Sequence, residues 1–300
     1  MTERPTSTSY SPLVYCIVLN WNGWQDTIAC VAALTHQDYL NLVVIVVDNC
    51  STNNSVAEIA HVYPSLELVQ TGANLGFSGG NNVGIRMALE AGAEFVWLLN
   101  SDTFAPPDTA TKLVAKARAE PRVGEVGTVL YHMHSPGEVQ AWGGALLHPW
   151  QFYRARLITT AHEFGRNTAL MAASVLLRRE TLLQVGLLDE GFFMYYEDSD
   201  LSFRIFNAGW KLAVAEDTAV LHKEGASLSR RSPLRSRYGF ASMLRFIHKH
   251  ASCPLLVQAL FCVLMVLNKL RKRDLVELKA VLAGMKDAWR SQYRIEKRLS

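Results

Sequence analysis

LVYCIVLN, residues 13–20, is a near-continuous apolar run without alternation. That is the pattern of a strand buried on both faces, as strands in parallel sheets are. LVVIVVDN at 42–49 and EFVWLLNSD at 94–102 repeat it. Between these runs the patterning predicts helices over 25–36, 55–62 and 77–91 and a shorter strand over 66–71. Strand and helix alternating in this way imply a parallel sheet with right-handed crossovers, an α/β nucleotide-binding half over 13–105. In open sheets of this class ligands sit beyond the carboxyl ends of the strands. Asn20, Asp48 and the segment from Asn100 to Asp102 all fall there.

After residue 106 the strict alternation ends. The expected elements are a helix over 108–120, a strand over 124–131, loops rich in Gly, His, Pro and Trp through Tyr153, and an apolar strand over 170–177. A short helix over 179–185, ended by Gly186, and strands over 210–215 and 219–222 complete a mixed sheet. The expected organisation is a polar lead over 1–12, one catalytic domain over 13–228 and a helical tail over 229–300, with a boundary at SLSRRSPLRSR, residues 227–237.

The formal net charge of the 300 residues is +3, but it is unevenly spread. Residues 1–228 hold 14 Lys and Arg against 23 Asp and Glu, whereas 229–300 hold 16 against 4. A basic tail points to an anionic surface, membrane lipid or nucleic acid, and the interleaved apolar residues favour lipid. In PLLVQALFCVLMVLN at 254–268, followed at once by KLRKR, the thirteen residues from Leu255 to Leu267 are too few for a simple span of about 20 residues. An interfacial or re-entrant helix beside anionic headgroups fits it, and a core or dimer-interface helix is the other reading. Five cysteines without CxxC spacing indicate neither a zinc site nor a disulfide framework, and a reducing cytosol is expected.

Several motifs sit at the predicted strand ends. The stretch TGANLGFSGGNNVG, residues 71–84, joins a strand to a helix and suits close backbone approach to a diphosphate, or else an αL turn and a Gly-rich helix start. It matches neither GxGxxG nor a P-loop. Asp48 could accept from a base N–H or a ribose hydroxyl, or form a turn in DNCST. Asn100 and Asp102 lie two apart, so both side chains could enter one crevice, and Asp102 there suits Mg2+ or Mn2+. An Asx turn before Pro106 and Pro107 is the alternative. His222 by itself reads as structural, the pair His132 and His134 as non-catalytic, and Trp142 as a sugar platform or core filler.

FFMYYEDSDLSFRIFNAG, residues 192–209, packs Glu197, Asp198 and Asp200 beside four aromatic residues, with Asp189 and Glu190 just upstream. Like charges this close are costly unless a cation, a proton or a hydroxyl substrate uses them. A general base is one reading; capping of the following helix by Asp198 or Ser199, with Gly209 past its end, is the other.

Taken in order, VLNWNGW, VVDNCST, GANLGFSGGNNVGI, VWLLNSDT, LLDEGFFMYYEDSDLSFRIFNAGW and HKEGAS resemble the inverting GT-A glycosyltransferases of family 2, rhamnosyltransferase-like members in particular. The resemblance implies a GT-A fold, a nucleoside-diphosphate sugar donor, a divalent metal (Mg2+ or Mn2+) and a carboxylate base acting on an acceptor hydroxyl. Asp198 of the Glu197–Asp198 pair would be the base, and Asp102 with His222 would hold the metal. Asn20, Asp48, Asn74, Gly76, Gly79, Asn81 and Asn100 would bind the donor. Two positions depart from the family pattern: Asn100 stands where the metal motif usually has Asp, and ALMAASVLLRR lacks a glycine common there. The implied activity is transfer of a sugar, L-rhamnose from dTDP-rhamnose or another sugar from a UDP donor, to a glycan or lipid-linked glycan at the inner face of the plasma membrane. A non-catalytic nucleotide-sugar-binding module and a nucleic-acid binder are the readings outside that class; no nucleic acid is expected, since the tail has few aromatics spaced for stacking on bases.

Overall fold

A computed structural model of the chain describes residues 10–162, 164–223 and 232–299, with side chains through Arg290. Most of the lead, the end of HKEGAS and much of the 227–237 boundary lie outside the described residues.

The first half is β1 (Val14–Asn20), α1 (Trp24–Leu34), β2 (Leu42–Asp48), α2 (Ser55–Val62), β3 (Glu67–Gln70), α3 (Gly76–Glu90) and β4 (Phe95–Asn100). β1 pairs in parallel with β2 and β4, and β2 with β3, so the strand ends carrying Asn20, Asp48 and Asn100 align along one edge. Cβ atoms added at Gly80 and Gly84 would lie 2.5 Å from Leu19 Cδ1 and 2.8 Å from Ile17 Cγ2. These glycines let α3 lie directly on β1. Asn82 fixes the other side of α3, accepting from Leu188 N–H at 3.1 Å and donating to its carbonyl at 2.8 Å.

Then follow β5 (Thr103–Phe104), α4 (Thr109–Ala119), β6 (Val123–His132), β7 (Ser135–Trp142), β8 (Gly144–Leu146), β9 (Arg156–Leu157), β10 (Thr168–Leu170), β11 (Ser174–Arg178), α5 (Arg179–Val185), α6 (Glu197–Asn207) and β12 (Lys211–His222). The main sheet runs β3-β2-β1-β4-β11-β6-β12-β5, with β7 on β6, and β10-β8-β9 form a second sheet. Apolar clusters cover both faces of the main sheet, one built around Trp97 and Leu113 and the other around Ile85 and Leu98.

Three local expectations change. The stretch expected as loops after residue 131 holds the β6–β7 hairpin and β8; His132 ends β6 and His134 lies in that hairpin's turn. The strand expected over 170–177 is two strands in different sheets: Met171 N–H bonds Gly143 O at 2.9 Å and Ala173 O accepts from Asn100 N–H at 3.0 Å, so the connector crosses between the sheets. The strands expected at 210–215 and 219–222 are one strand, β12, bulged between Ala215 and Ala219. Trp142 packs into the core on one face of the sheet.

The tail forms α7 (Pro233–His250), α8 (Pro254–Arg271) and α9 (Leu275–Leu299). α7 docks through an aromatic cluster in which Phe246 meets Tyr153, Tyr196 and Phe203, and Phe240 stacks on Phe261 of α8 at 5.2 Å. Of α8, Gln258 and Phe261 are buried. Its outer residues, Leu255, Leu256, Leu260, Val263, Leu264 and Leu267, are exposed, Leu255 to 73%.

Candidate active site

A cleft of about 650 Å3 runs along the strand ends. Asn100, Asp102, His222, Glu197 and Asp198 line it, together with Asn49, Asn74 and Gly76 from the α3 side and Leu234, Arg235 and Tyr238 from α7.

β5 pairs antiparallel with β12, His222 opposite Thr103, and Lys223 N–H bonds Asp102 O at 3.0 Å. This register brings Asp102 Oδ1 to 3.3 Å from His222 Nε2. The other imidazole nitrogen, Nδ1, lies 2.8 Å from Gln140 Oε1. An N–H at Nδ1 donating to that oxygen leaves the Nε2 lone pair facing a carboxylate oxygen, two acceptors that a proton or a cation must reconcile. One carboxylate and one imidazole fit a hard divalent ion that takes its remaining ligands from phosphate and water. Among the described residues no group of three His, Cys, Asp or Glu stands ready to hold a metal alone. Asn100 Nδ2 reaches His222 Nε2 at 3.4 Å, so the position where the family usually has Asp adds an amide beside the pair.

α6 opens after Tyr195 and Tyr196, both in the left-handed region at φ 73° and 68°. Tyr196 occupies the cap position without a side-chain capping bond, so the capping reading of Asp198 does not apply, while Gly209 (φ 87°) does follow the helix end. Asp198 Oδ1 accepts from Ser199 N–H at 2.6 Å and Oδ2 from Ala172 N–H at 3.3 Å. Burial raises its pKa above the usual carboxylate range, and those two N–H groups oppose the rise. Glu197 is 5% exposed and its Oε2 has no hydrogen-bond partner among the described residues. Burial, then the charge of Asp198, pushes the Glu197 pKa far up.

The remaining carboxylates of the cluster serve elsewhere. Glu190 pairs with Arg86 at 2.6 Å. Asp189 takes Arg245 at 2.8 Å and Lys249 at 2.6 Å, and Asp200 takes Arg204, Lys249 and His250 at 2.8, 2.6 and 2.8 Å.

The expected donor residues divide. Asn74 and Gly76 reach the cleft; Asn74 Oδ1 accepts from Gly76 N–H at 3.0 Å, and Phe193 O, 2.7 Å from Phe77 N, leaves no room for a Cβ at Gly76. Gly79 and Asn81 lie buried inside α3, where Gly79 admits Leu75 and Asn81 bonds Phe77 O at 2.9 Å, which is the helix-start alternative for that loop. Asn20 is buried and donates to Asp48 Oδ1 at 2.7 Å. Asp48 also accepts from Ser51 Oγ at 2.6 Å and Ser51 N–H at 2.9 Å, the turn expected of DNCST, and Asn20 and Asp48 are both buried at the strand ends. Asn49 and Gln140 were not singled out in the sequence. Asn49 organises the loop by donating to Asn74 Oδ1 and Gly76 O and accepting from Leu75 N–H. Its neighbour Asp48 at the strand end was the visible signal; Gln140 lies in a strand read as loop and gave none.

Residues 15–183 match the family described as Glycosyl transferase family 2. The chain is 31% identical over 211 residues, 62% of its length and 68% of the relative's, to an N-acetylglucosaminyl-diphospho-decaprenol L-rhamnosyltransferase of Mycobacterium tuberculosis. It is 22% identical to dTDP-rhamnosyl transferase RfbF of Shigella flexneri (81% and 82% covered) and 25% identical to galactofuranosyltransferase GlfT1 of Mycobacterium tuberculosis (71% and 71%). A mannosyltransferase from Pyrobaculum calidifontis, solved with GDP-Man and Mn2+, shares the fold at TM-score 0.59 and 18% identity, covering 97% of this chain and 80% of that one. The chain belongs to glycosyltransferase family 2: it is a glycosyltransferase of the GT-A fold with rhamnosyltransferases among its relatives.

Proposed function

We propose that the enzyme transfers L-rhamnose from dTDP-rhamnose, with inversion, to a lipid-linked glycan in cell-envelope polysaccharide synthesis. The observation that carries this reading is one cleft lined by both the Asp102–His222 pair and Asp198. Asp102 and His222 would hold Mg2+ or Mn2+, which when bound would neutralise charge on the leaving diphosphate. Asn74, Gly76 and Asn100 line the donor side of the cleft, with Asn49 setting the loop and Asn20 and Asp48 buried at the strand ends. Asp198 accepts the acceptor hydroxyl's proton as that oxygen bonds the anomeric carbon and the bond from that carbon to the diphosphate breaks. A carboxylate is a weak base toward an alcohol, so the proton moves late, once the sugar centre has drawn electron density from the attacking oxygen.

The tail supports attachment to the cytoplasmic face of the plasma membrane. α8 is an apolar helix of 18 residues, and the helices on either side of it are tied together, α7 to the catalytic body through His250 and Asp200 and to α9 through Arg237 and Asp287. Lying in the interface with its leucines down and Lys269, Arg271, Lys272 and Arg273 near headgroups fits that tethering.

The galactofuranosyltransferase relative favours a second reading, the same chemistry with a UDP-sugar. A panel of dTDP-, UDP- and GDP-sugars, with and without Mg2+ or Mn2+ and with a membrane lipid extract as acceptor source, separates them. Rhamnose transfer from the dTDP donor with inverted product stereochemistry is expected; preferred use of a UDP-sugar overturns the rhamnose assignment, and metal-independent transfer overturns the role given to Asp102 and His222.

A further inference from the structure

Among the described residues Arg235 is the one Lys or Arg lining the cleft, against three carboxylates, Asp102, Glu197 and Asp198. It stands in the first turn of α7, on the same wall as Leu234 and Tyr238. Its guanidinium carbon lies 5.7 Å from the centre of the Tyr195 ring, and Tyr238 lies 4.9 Å from Phe193. Both aromatic partners belong to the segment that leads directly into Asp198. Arg235 is therefore set against the segment that leads to the base, whereas the proposed metal pair is set by β5 and β12. From this turn α7 leads to α8 and its exposed leucines.

A base and a guanidinium in one cleft, with an apolar helix following in the same tail, match the chemistry of a sugar carried on a lipid diphosphate. Guanidinium groups take phosphate oxygens in pairs, with charge-assisted hydrogen bonds. Resting on the transferase reading above, we infer that Arg235 binds the phosphates of a lipid-diphosphate-linked acceptor and sets the preference for that acceptor over a free glycan. The donor's own diphosphate is the competing ligand for this cation, because Phe193, the partner of Tyr238, also meets the donor loop at Phe77 N–H; the dTDP arm of the test separates the two.

The test is calorimetric titration of the full-length protein, wild type, Arg235→Ala and Arg235→Lys, with farnesyl diphosphate, farnesol, and dTDP plus Mn2+. In Arg235→Ala the expected result is farnesyl diphosphate binding weakened about tenfold or more, the scale of one lost charge-assisted contact. Arg235→Lys recovers part of that loss, and farnesol and dTDP are unaffected. Equal weakening of farnesol makes Arg235 a mere wall residue and overturns the inference; so does dTDP binding that falls as far as farnesyl diphosphate binding, or a wild type that does not discriminate farnesyl diphosphate from farnesol. These readouts need no turnover, so failure of transfer in the donor panel would defeat the transferase reading separately.

Discussion

Asp198 and Asp200 are two residues apart in the first turn of α6, and their surroundings are opposite. Residues two apart on a helix point about 200° away from each other. Asp198 thus turns to the cleft and meets two backbone N–H groups, while Asp200 turns to the tail and meets an arginine, a lysine and a histidine. Burial acts on both. At Asp198 it prevails and raises the pKa; at Asp200 it is outweighed by His250, Arg204 and Lys249, which hold the carboxyl well below its usual range. An acid-rich motif is therefore one turn of helix doing chemistry on one side and assembly on the other. Gly191 shows how close the assembly side is: a Cβ there would lie 2.1 Å from the Arg245 guanidinium carbon.

The comparison breaks most sharply by substitution. Asp198→Asn should lower the transfer rate by about 10²- to 10⁴-fold, the range for a lost general base, with an unchanged melting temperature. Asp200→Ala should do the reverse, costing about 2–3 kcal/mol in urea unfolding. Removing one member of a buried ion pair costs about 3–5 kcal/mol, discounted here because Arg204 and Lys249 are partly exposed. Comparable losses of rate in both variants at equal stability would erase the distinction. Next in size, Gly76→Ala should destabilise by about 1–3 kcal/mol, since φ is +71° and Phe193 O would lie 2.2 Å from the new carbon.

Acidity sharpens the same contrast. The Asp198 pKa is raised, so transfer should fall on acidification from a pH above the ordinary carboxylate range. The Asp200 pKa is lowered, so its stabilisation is present above the unfolded carboxyl's pKa and is lost only as pH falls through the lower folded value. Glu125 adds a third case. It is buried in β6, accepts from Ser202 Oγ at 2.8 Å, and burial pushes its pKa up to about 8. Between its unfolded value and 8 the folded protein holds a proton that the unfolded chain has released, so stability declines as pH rises. Glu125→Gln should remove that decline, worth at most about 1.4 kcal/mol per pH unit, in melting curves taken across that window. The smallest stability effect belongs to α8: Leu260→Ser with Leu264→Ser should shift stability by under about 1 kcal/mol, since both side chains are half exposed. Sedimentation with phosphatidylglycerol vesicles should nonetheless lose the double variant; retained binding would leave the interfacial reading without support.

The first hundred residues were legible because runs such as LVYCIVLN and LVVIVVDN can be satisfied only by strands covered on both faces. Later elements were less so. Met171–Ala173 looks like strand interior by hydropathy, but hydropathy does not register a chain changing sheets. α7 begins in a basic stretch that reads as a boundary, and its helical character depends on aromatic contacts with Tyr153 and Phe203 far back in the chain. At the site, local pattern marked Asp102 and the acidic cluster, and the family resemblance chose Asp198 within it. Pattern could not separate Asp198 from Asp189 and Asp200, because apart from Arg204 the cations that claim those two, Arg245, Lys249 and His250, lie about fifty residues downstream. His222 read as structural when taken alone, and it comes beside Asp102 only through the β5–β12 register.

The most direct measurement is the single-turnover rate of sugar transfer by Asp198→Asn, with donor, Mn2+ and lipid extract saturating and the melting temperature recorded on the same preparation. A rate lowered by two orders of magnitude or more with an unchanged melting temperature is the predicted result; a rate within threefold of wild type would contradict Asp198 as the base.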